Sequence, residues 1–234
     1  MSRPIRRDSP PASTAPKHAG RVRVFSGAVL AGGESRRMGR DKARIQFHGE
    51  PMWRRQYRVL RRAGASPVIV VRRDGQSALG KDIPEVRDVF PGAGPLAGLH
   101  AALVAMETRW LAVLAVDMPA IDAGWFRWLS EFCGVESGAV VRHEDGFEPL
   151  AAIYPRAAVG TVTRRLRRGA GSMQELIAAL VRADRMTVVS LSETERWRVE
   201  NWNRPQDRRP VPPARGKNQS AAHPGAKKFL MESW

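Results

Sequence analysis

Asp117 is the residue whose type and position promise the most chemistry. It follows an unbroken apolar run, Leu111 to Val116, that reads as a buried strand, and it precedes Met118 and Pro119. In open α/β sheets ligands collect at the carboxyl ends of strands, where a carboxylate suits a hard cation such as Mg²⁺. An Asp before a turn also caps backbone amides, so position alone leaves two roles open. A second group, Gly32, Gly33, Arg37 and Lys42, follows another apolar run that ends at Leu30. Paired glycines accept positive φ and let N–H groups close around an anion, and the two cations add charge, so this loop suits phosphates, although a glycine pair after a strand also serves as an ordinary tight turn. It has neither the GK[ST] ending of a Walker A loop nor the GxGxxG spacing of a dinucleotide site. A third loop runs from Asp88 through Pro91, Gly92, Gly94 and Pro95 to Leu96. With so little side chain it can present backbone donors and acceptors to a planar base at a helix start, or serve only as a helix-entry turn.

The full first string, Leu30, Ala31, Gly32, Gly33, Glu34, Ser35, Arg36, Arg37, Met38, Gly39, Arg40, Asp41, Lys42, resembles the LAGGxSxRMGxDK signature of the molybdenum cofactor guanylyltransferases. The other loops resemble that family's D…PGxGPLAGL and DxP elements, in order and at suitable spacing across residues 24 to 207. The resemblance implies that Leu30, Ala31 and Gly32 lie near base and ribose, with Gly33 and Ser35 in the same nucleotide loop. Arg37 and Lys42 would face the triphosphate, whereas Arg36 and Arg40 read as solvated charge. Asp88, Gly94, Pro95 and Leu96 would take part in guanine recognition, and Asp117 would coordinate Mg²⁺.

Gly146 to Leu150 resembles a GxxxPL segment on the family's acceptor side and makes Glu148 a candidate there, although a solvated turn carboxylate is the plainer reading. Asn201 and Asn203 fall in an NxNTPE-like ending linked to the active site, with Arg204 in place of the usual Thr. Val116 stands where the family often has Cys, and Arg72 and Arg73 stand where it often has Asn. The run Arg164, Arg165, Arg167, Arg168 reads as a charged helix end rather than an acceptor contact.

The implied reaction carries GMP from GTP to the terminal phosphate of molybdenum-bound molybdopterin and releases pyrophosphate. Catalysis would rest on Lys42, Arg37 and Asp117, with Mg²⁺ as cofactor and molybdoenzymes or cofactor-insertion proteins as partners. Two alternatives are CMP transfer to the same cofactor and nucleotidyl transfer to a sugar phosphate. Cytidylyl relatives tend to read LAAG where this chain has Leu30, Ala31, Gly32, Gly33. A nucleic-acid-binding protein without turnover is a third reading.

The elements that must position these residues follow from hydrophobic pattern. Short runs rich in Val and Ile alternate with longer amphipathic segments, the order of a mostly parallel sheet covered by helices. Strands are predicted at Val24–Leu30, Pro67–Val71, Glu85–Asp88, Trp110–Val116, Gly138–Val141, Leu150–Tyr154 and Met186–Ser190. Helices are predicted at Met52–Ala63, at Leu96–Met106, from an Asp122 cap through Phe132, and from a Ser172/Glu175 capping box through Val181. The expected fold is α/β, one Rossmann-like domain with helices on both faces of the sheet. The resemblance adds that it is of the nucleotide-diphospho-sugar transferase type.

The formal charge of +16 over 234 residues suggests nucleic acid until its distribution is considered. Residues 1–22 hold five basic and one acidic side chain, and residues 208–234 six and one, which leaves +7 for the span between. That span also lacks a recognition-helix motif and a paired aromatic platform, so nucleic acid is not the expected partner. Both tails are rich in Pro and polar residues without apolar periodicity and are expected to be disordered, flanking a domain at 23–207. No apolar stretch approaches the ~18 residues of a membrane span and no secretory segment opens the chain, so a cytoplasmic protein is expected. The single cysteine, Cys133, lies among Trp128, Leu129 and Phe132 and reads as a small buried hydrophobe.

Overall fold

The computed structural model describes residues 24–32, 45–80, 83–169 and 171–199. The chain begins with β1 (Ser26–Leu30), a short hairpin of β2 (Gln46–Phe47) and β3 (Glu50–Pro51), then α1 (Met52–Ala63), β4 (Val68–Arg72) and β5 (Glu85–Arg87). It continues through α2 (Pro95–Ala105), β6 (Trp110–Ala115), α3 (Ala123–Ser130), β7 (Gly138–His143), β8 (Gly146–Phe147) and β9 (Ala151–Pro155). The last elements are α4 (Val159–Arg167), α5 (Met173–Arg182), β10 (Met186–Ser190) and a 3-10 turn at Glu193–Val199.

The main sheet runs β10-β7-β9-β6-β1-β4-β5, with β8 pairing β7. β5, β4, β1 and β6 are mutually parallel, while β9 is antiparallel to both β6 and β7. The chain first moves outward from β1 to β4 and β5, then returns to lay β6 on the other side of β1. That reversal opens a crevice at the carboxyl ends of β1 and β6, the place where doubly wound sheets hold ligands.

Alternation along the strands divides the interior into two cores. Val29, Val68, Val70, Ala112 and Leu114 join the core under α1 and α3, whereas Ala28, Leu30, Ile69, Val71, Leu111 and Val113 join the one under α2, α4 and α5. Burial on both faces explains why these strands read as continuous apolar runs. Helices on both faces and a mostly parallel sheet are thus what the sequence pattern predicts. Helix α4 had been legible only as a charged end, and the hairpin β2–β3 and strand β8 were not foreseen, being two residues per strand.

Local details follow from side chains. Asp122 Oδ1 accepts from the Trp125 amide at 3.0 Å and opens α3, and Trp125 Nε1 donates to the Ala151 carbonyl at 2.8 Å, tying α3 to β9. Ser172 Oγ accepts from the Glu175 amide at 3.3 Å to open α5. The reciprocal half of the expected capping box is replaced, because the Glu175 carboxylate pairs with Arg165 of α4. Cys133 is buried, 1 % exposed, as expected.

Candidate active site

Backbone hydrogen bonds fasten the carboxyl ends of the strands to one another. The Ala31 amide donates to the Val71 carbonyl at 2.9 Å, the Val116 amide to the Leu30 carbonyl at 3.3 Å, and the Asp88 amide to the Arg72 carbonyl at 3.0 Å. The Ala115 amide donates to the Leu150 carbonyl at 2.9 Å, which brings the start of β9 to the end of β6. Leu30, Ala31, Gly32, Asp88, Asp117 and Glu148 therefore lie along one rim of the sheet. Three strand spacings, roughly 14 Å, separate the β5 end of this rim from the β6 end.

At the β5 end the rim is made largely of backbone. Asp88 is half-buried, and burial pushes its carboxyl above the usual range while Arg73 pulls it back. Phe90 sets its ring edge-on to His100 of α2, centroids 5.1 Å apart, and so anchors the glycine-rich loop to the helix it precedes. Gly94 caps α2 at φ 63°, ψ −147°, a conformation that only glycine adopts readily, and Pro95 is the first helical residue. The Leu96 side chain is fully buried in the core, so what Leu96 offers a ligand is its amide at a helix N-terminus. Gly32 is needed for space: a Cβ there would stand 3.1 Å from the Arg73 amide nitrogen. Arg72, fully buried, gives Nη2 to the Ser77 carbonyl at 2.9 Å, so its guanidinium is drawn toward the β4–β5 connection.

Carboxylates dominate the β6 end. Asp117 lies two residues past the end of β6, and Glu148, two residues before Leu150, is close enough for Asp117 to raise its pKa. Glu148 is only 6 % exposed, which corrects the expectation of a solvated turn carboxylate. Burial, chiefly, and then the charge of Asp117 push its carboxyl up to about 7, against the pull of the Leu150 amide that donates to Glu148 Oε1 at 3.2 Å. Beneath it, Tyr154 Oη donates to the Pro149 carbonyl at 2.9 Å and holds the turn, and the same burial raises the phenol's pKa.

Gln56 was not singled out in the sequence. It sits on the otherwise apolar stripe Met52, Trp53, Val59, Leu60 and Ala63 of α1 and is fully buried. A lone amide on a core-facing stripe is the signal that could have drawn attention to it. Gly33, Ser35, Arg37, Lys42, Asn201 and Asn203 lie outside the described residues, as do both tails. Among the described residues, no group of three or more His, Cys, Asp or Glu side chains could hold a metal ion, and no helix is long and apolar enough to cross a membrane.

Known proteins resemble this chain in sequence and in fold. A probable molybdenum cofactor guanylyltransferase of Opitutus terrae is 62 % identical over 188 residues, covering 79 % of this chain and 93 % of that one. The molybdenum cofactor guanylyltransferase of Xanthomonas euvesicatoria is 33 % identical over 185 residues, covering 79 % and 92 %. Among solved structures, molybdopterin-guanine dinucleotide biosynthesis protein A of Archaeoglobus fulgidus superposes with a TM-score of 0.59 at 25 % identity, covering 78 % of this chain and 94 % of its own. Residues 27–186 match the family described as MobA-like NTP transferase domain, and with the strand-end rim in place the chain belongs to that family of nucleotidyltransferases.

Proposed function

We propose that this protein transfers GMP from GTP to the terminal phosphate of molybdenum-bound molybdopterin, in the cytoplasm, and releases pyrophosphate. The observation that carries the reading is 62 % identity to the Opitutus terrae protein over 93 % of its length. The rim supports it chemically. A nucleotide laid along it would meet backbone donors at Gly94 and Leu96, the close-packed Ala31–Gly32 segment, and carboxylates at Asp117 and Glu148. An oxygen of the acceptor phosphate attacks the α-phosphorus of GTP, the new P–O–P bond forms, and the bond to the β-phosphate bridge breaks with its electron pair leaving on pyrophosphate. Such a nucleophile needs no strong base, so the protein's work is to align two polyanions and offset leaving-group charge.

The donor set fits a divalent cation. Two adjacent carboxylates, one of them buried, are hard oxygen ligands, and Mg²⁺ is commonly held by one or two carboxylates together with substrate phosphates. Asp117 would hold it with Glu148 beside it, and when bound the ion supplies positive charge to phosphate oxygens. Arg37 and Lys42 supply further cations to the triphosphate, and the amides of the Leu30–Ser35 loop orient it. Asp88, Gly94, Pro95 and Leu96 frame the base, while Asn201 and Asn203 serve the acceptor.

The run Leu30, Ala31, Gly32, Gly33, where cytidylyl relatives tend to read LAAG, favours GTP over CTP. Calorimetric titration with each nucleotide in the presence of Mg²⁺ tests this. Selective GTP binding is expected; preference for CTP would move the assignment to cytidylyl transfer, and binding of neither would remove the proposed site.

A further inference from the structure

Gln56 is the one fully buried amide of α1, and both hydrogen bonds that its side-chain nitrogen donates end on the backbone around Asp117. Its Nε2 donates to the Ala115 carbonyl at 3.2 Å and to the Met118 carbonyl at 2.8 Å. Those two carbonyls bracket Val116 and Asp117. Its Oε1 accepts from Arg55 Nη1 at 2.8 Å, and the same Arg55 nitrogen donates to the Ile121 carbonyl at 3.3 Å. Val116, Met118 and Ile121 are buried, so the turn's side chains face the core and the backbone between them has little freedom. From the opposite side the Leu30 carbonyl holds the Val116 amide.

We infer that Gln56 is a positioning residue for the carboxylate of Asp117, fixing where it meets a divalent cation. The inference rests on Asp117 being a metal ligand. The physical ground is that a primary amide has two N–H donors with fixed divergence, which here meet two carbonyls three residues apart. A hydrocarbon of the same length would leave both buried carbonyls without that donor and let the turn relax toward other partners. Groups that orient a metal ligand without touching the ion typically alter its affinity by about 10- to 100-fold.

The test uses the full chain, Mn²⁺ followed by electron paramagnetic resonance, and GTP with its α,β-bridging oxygen replaced by methylene so that nothing turns over. Q56M keeps length and removes both donors; Q56E keeps shape and sets an acid against two carbonyls; D117N is the control. Weakening of Mn²⁺ affinity by about ten-fold in Q56M, and at least as much in Q56E, is expected, with nucleotide affinity at saturating Mn²⁺ nearly unchanged. In turnover, excess metal should restore most of kcat to Q56M. A purely structural role would lower the melting temperature and the active fraction but leave the half-saturating metal concentration where it was, and that result overturns the inference. If D117N shifts Mn²⁺ binding and neither Gln56 variant does, the inference fails and the reading of Asp117 stands. If D117N shifts nothing, both fail. Should Q56M not fold, R55M, which removes the brace on Gln56 Oε1 and Ile121 together with the guanidinium over the Phe47 ring, is expected to weaken Mn²⁺ by a smaller factor, and an unchanged affinity there counts against the inference.

Discussion

The two ends of the binding rim are built on opposite principles. Toward the β5 end, Gly94 and Pro95, and Ala31 and Gly32 past the end of β1, offer backbone groups, and the side chains nearby are chiefly anchors such as Phe90 against His100. At the β6 end individual side chains prevail: Asp117, the buried Glu148, and beneath them Gln56 and Tyr154, and the proposed function hangs on the two carboxylates. Backbone sites tolerate many neighbours but not a misplaced Cβ. Carboxylate sites tolerate little, because a buried charge is costly to keep and a metal needs it at a fixed place.

The contrast can be broken most forcefully at Asp117. Replacement by Asn should keep the fold yet lower kcat/KM for GMP transfer by at least 100- to 1000-fold, the scale of losing one electrostatic contact to a transition state, about 3 to 4 kcal/mol. Pyrophosphate release measures it, and activity within a few-fold of the parent would remove the metal role.

Glu148 sharpens the comparison through pH. In metal-free protein its carboxyl titrates at about 7 rather than at the ordinary 4.5. Between those values the folded chain keeps a proton that the unfolded chain has lost, so stability falls as pH rises through this window and levels off above it. Glu148→Gln should abolish that slope and, at pH 8 in a chelator, stabilise the fold by up to about 3 kcal/mol. Denaturant melts at pH 5 and pH 8 decide it; parallel pH dependence in parent and variant would show that the buried carboxyl is otherwise compensated.

The backbone end should respond to geometry rather than charge. Gly94→Ala forces a side chain onto φ 63°, ψ −147°, at a cost of about 1 to 3 kcal/mol. The expected signature is a raised KM for GTP with little change in the metal concentration needed for half-maximal rate. Equal effects on both would mean that the two ends are not separable.

Much of this fold was legible because burial on both faces leaves a mark in composition. Val68–Arg72, Trp110–Ala115 and Met186–Ser190 appear as apolar runs near their predicted bounds, and α1 was found from end to end through the spacing of its buried face. Asp122 and Ser172 announced their helices because a cap is a local bond between near neighbours. The rim residues Asp88, Gly94 and Asp117 could be named in advance because each stands where a strand or helix begins or ends.

Other properties depended on which distant residues meet. That Glu148 is buried beside Asp117 follows from β9 running antiparallel to β6, a pairing that joins residues as distant in sequence as Trp110 and Pro155 and that no local pattern encodes. Glu175 bonding to Arg165 instead of closing its own capping box was decided by the packing of α4 near α5. Gln56 reads in isolation as an ordinary polar residue on a helix. Its significance arises because α1 lies against the turn after β6, fifty-nine residues on from Gln56 at Ala115. The sequence by itself determined the elements and the residue types at their ends, since propensity, periodicity and capping act over a few residues. Only the tertiary structure decided which carboxylates share an environment and which buried amide ties down the backbone on either side of Asp117, because desolvation and hydrogen bonding depend on neighbours in space.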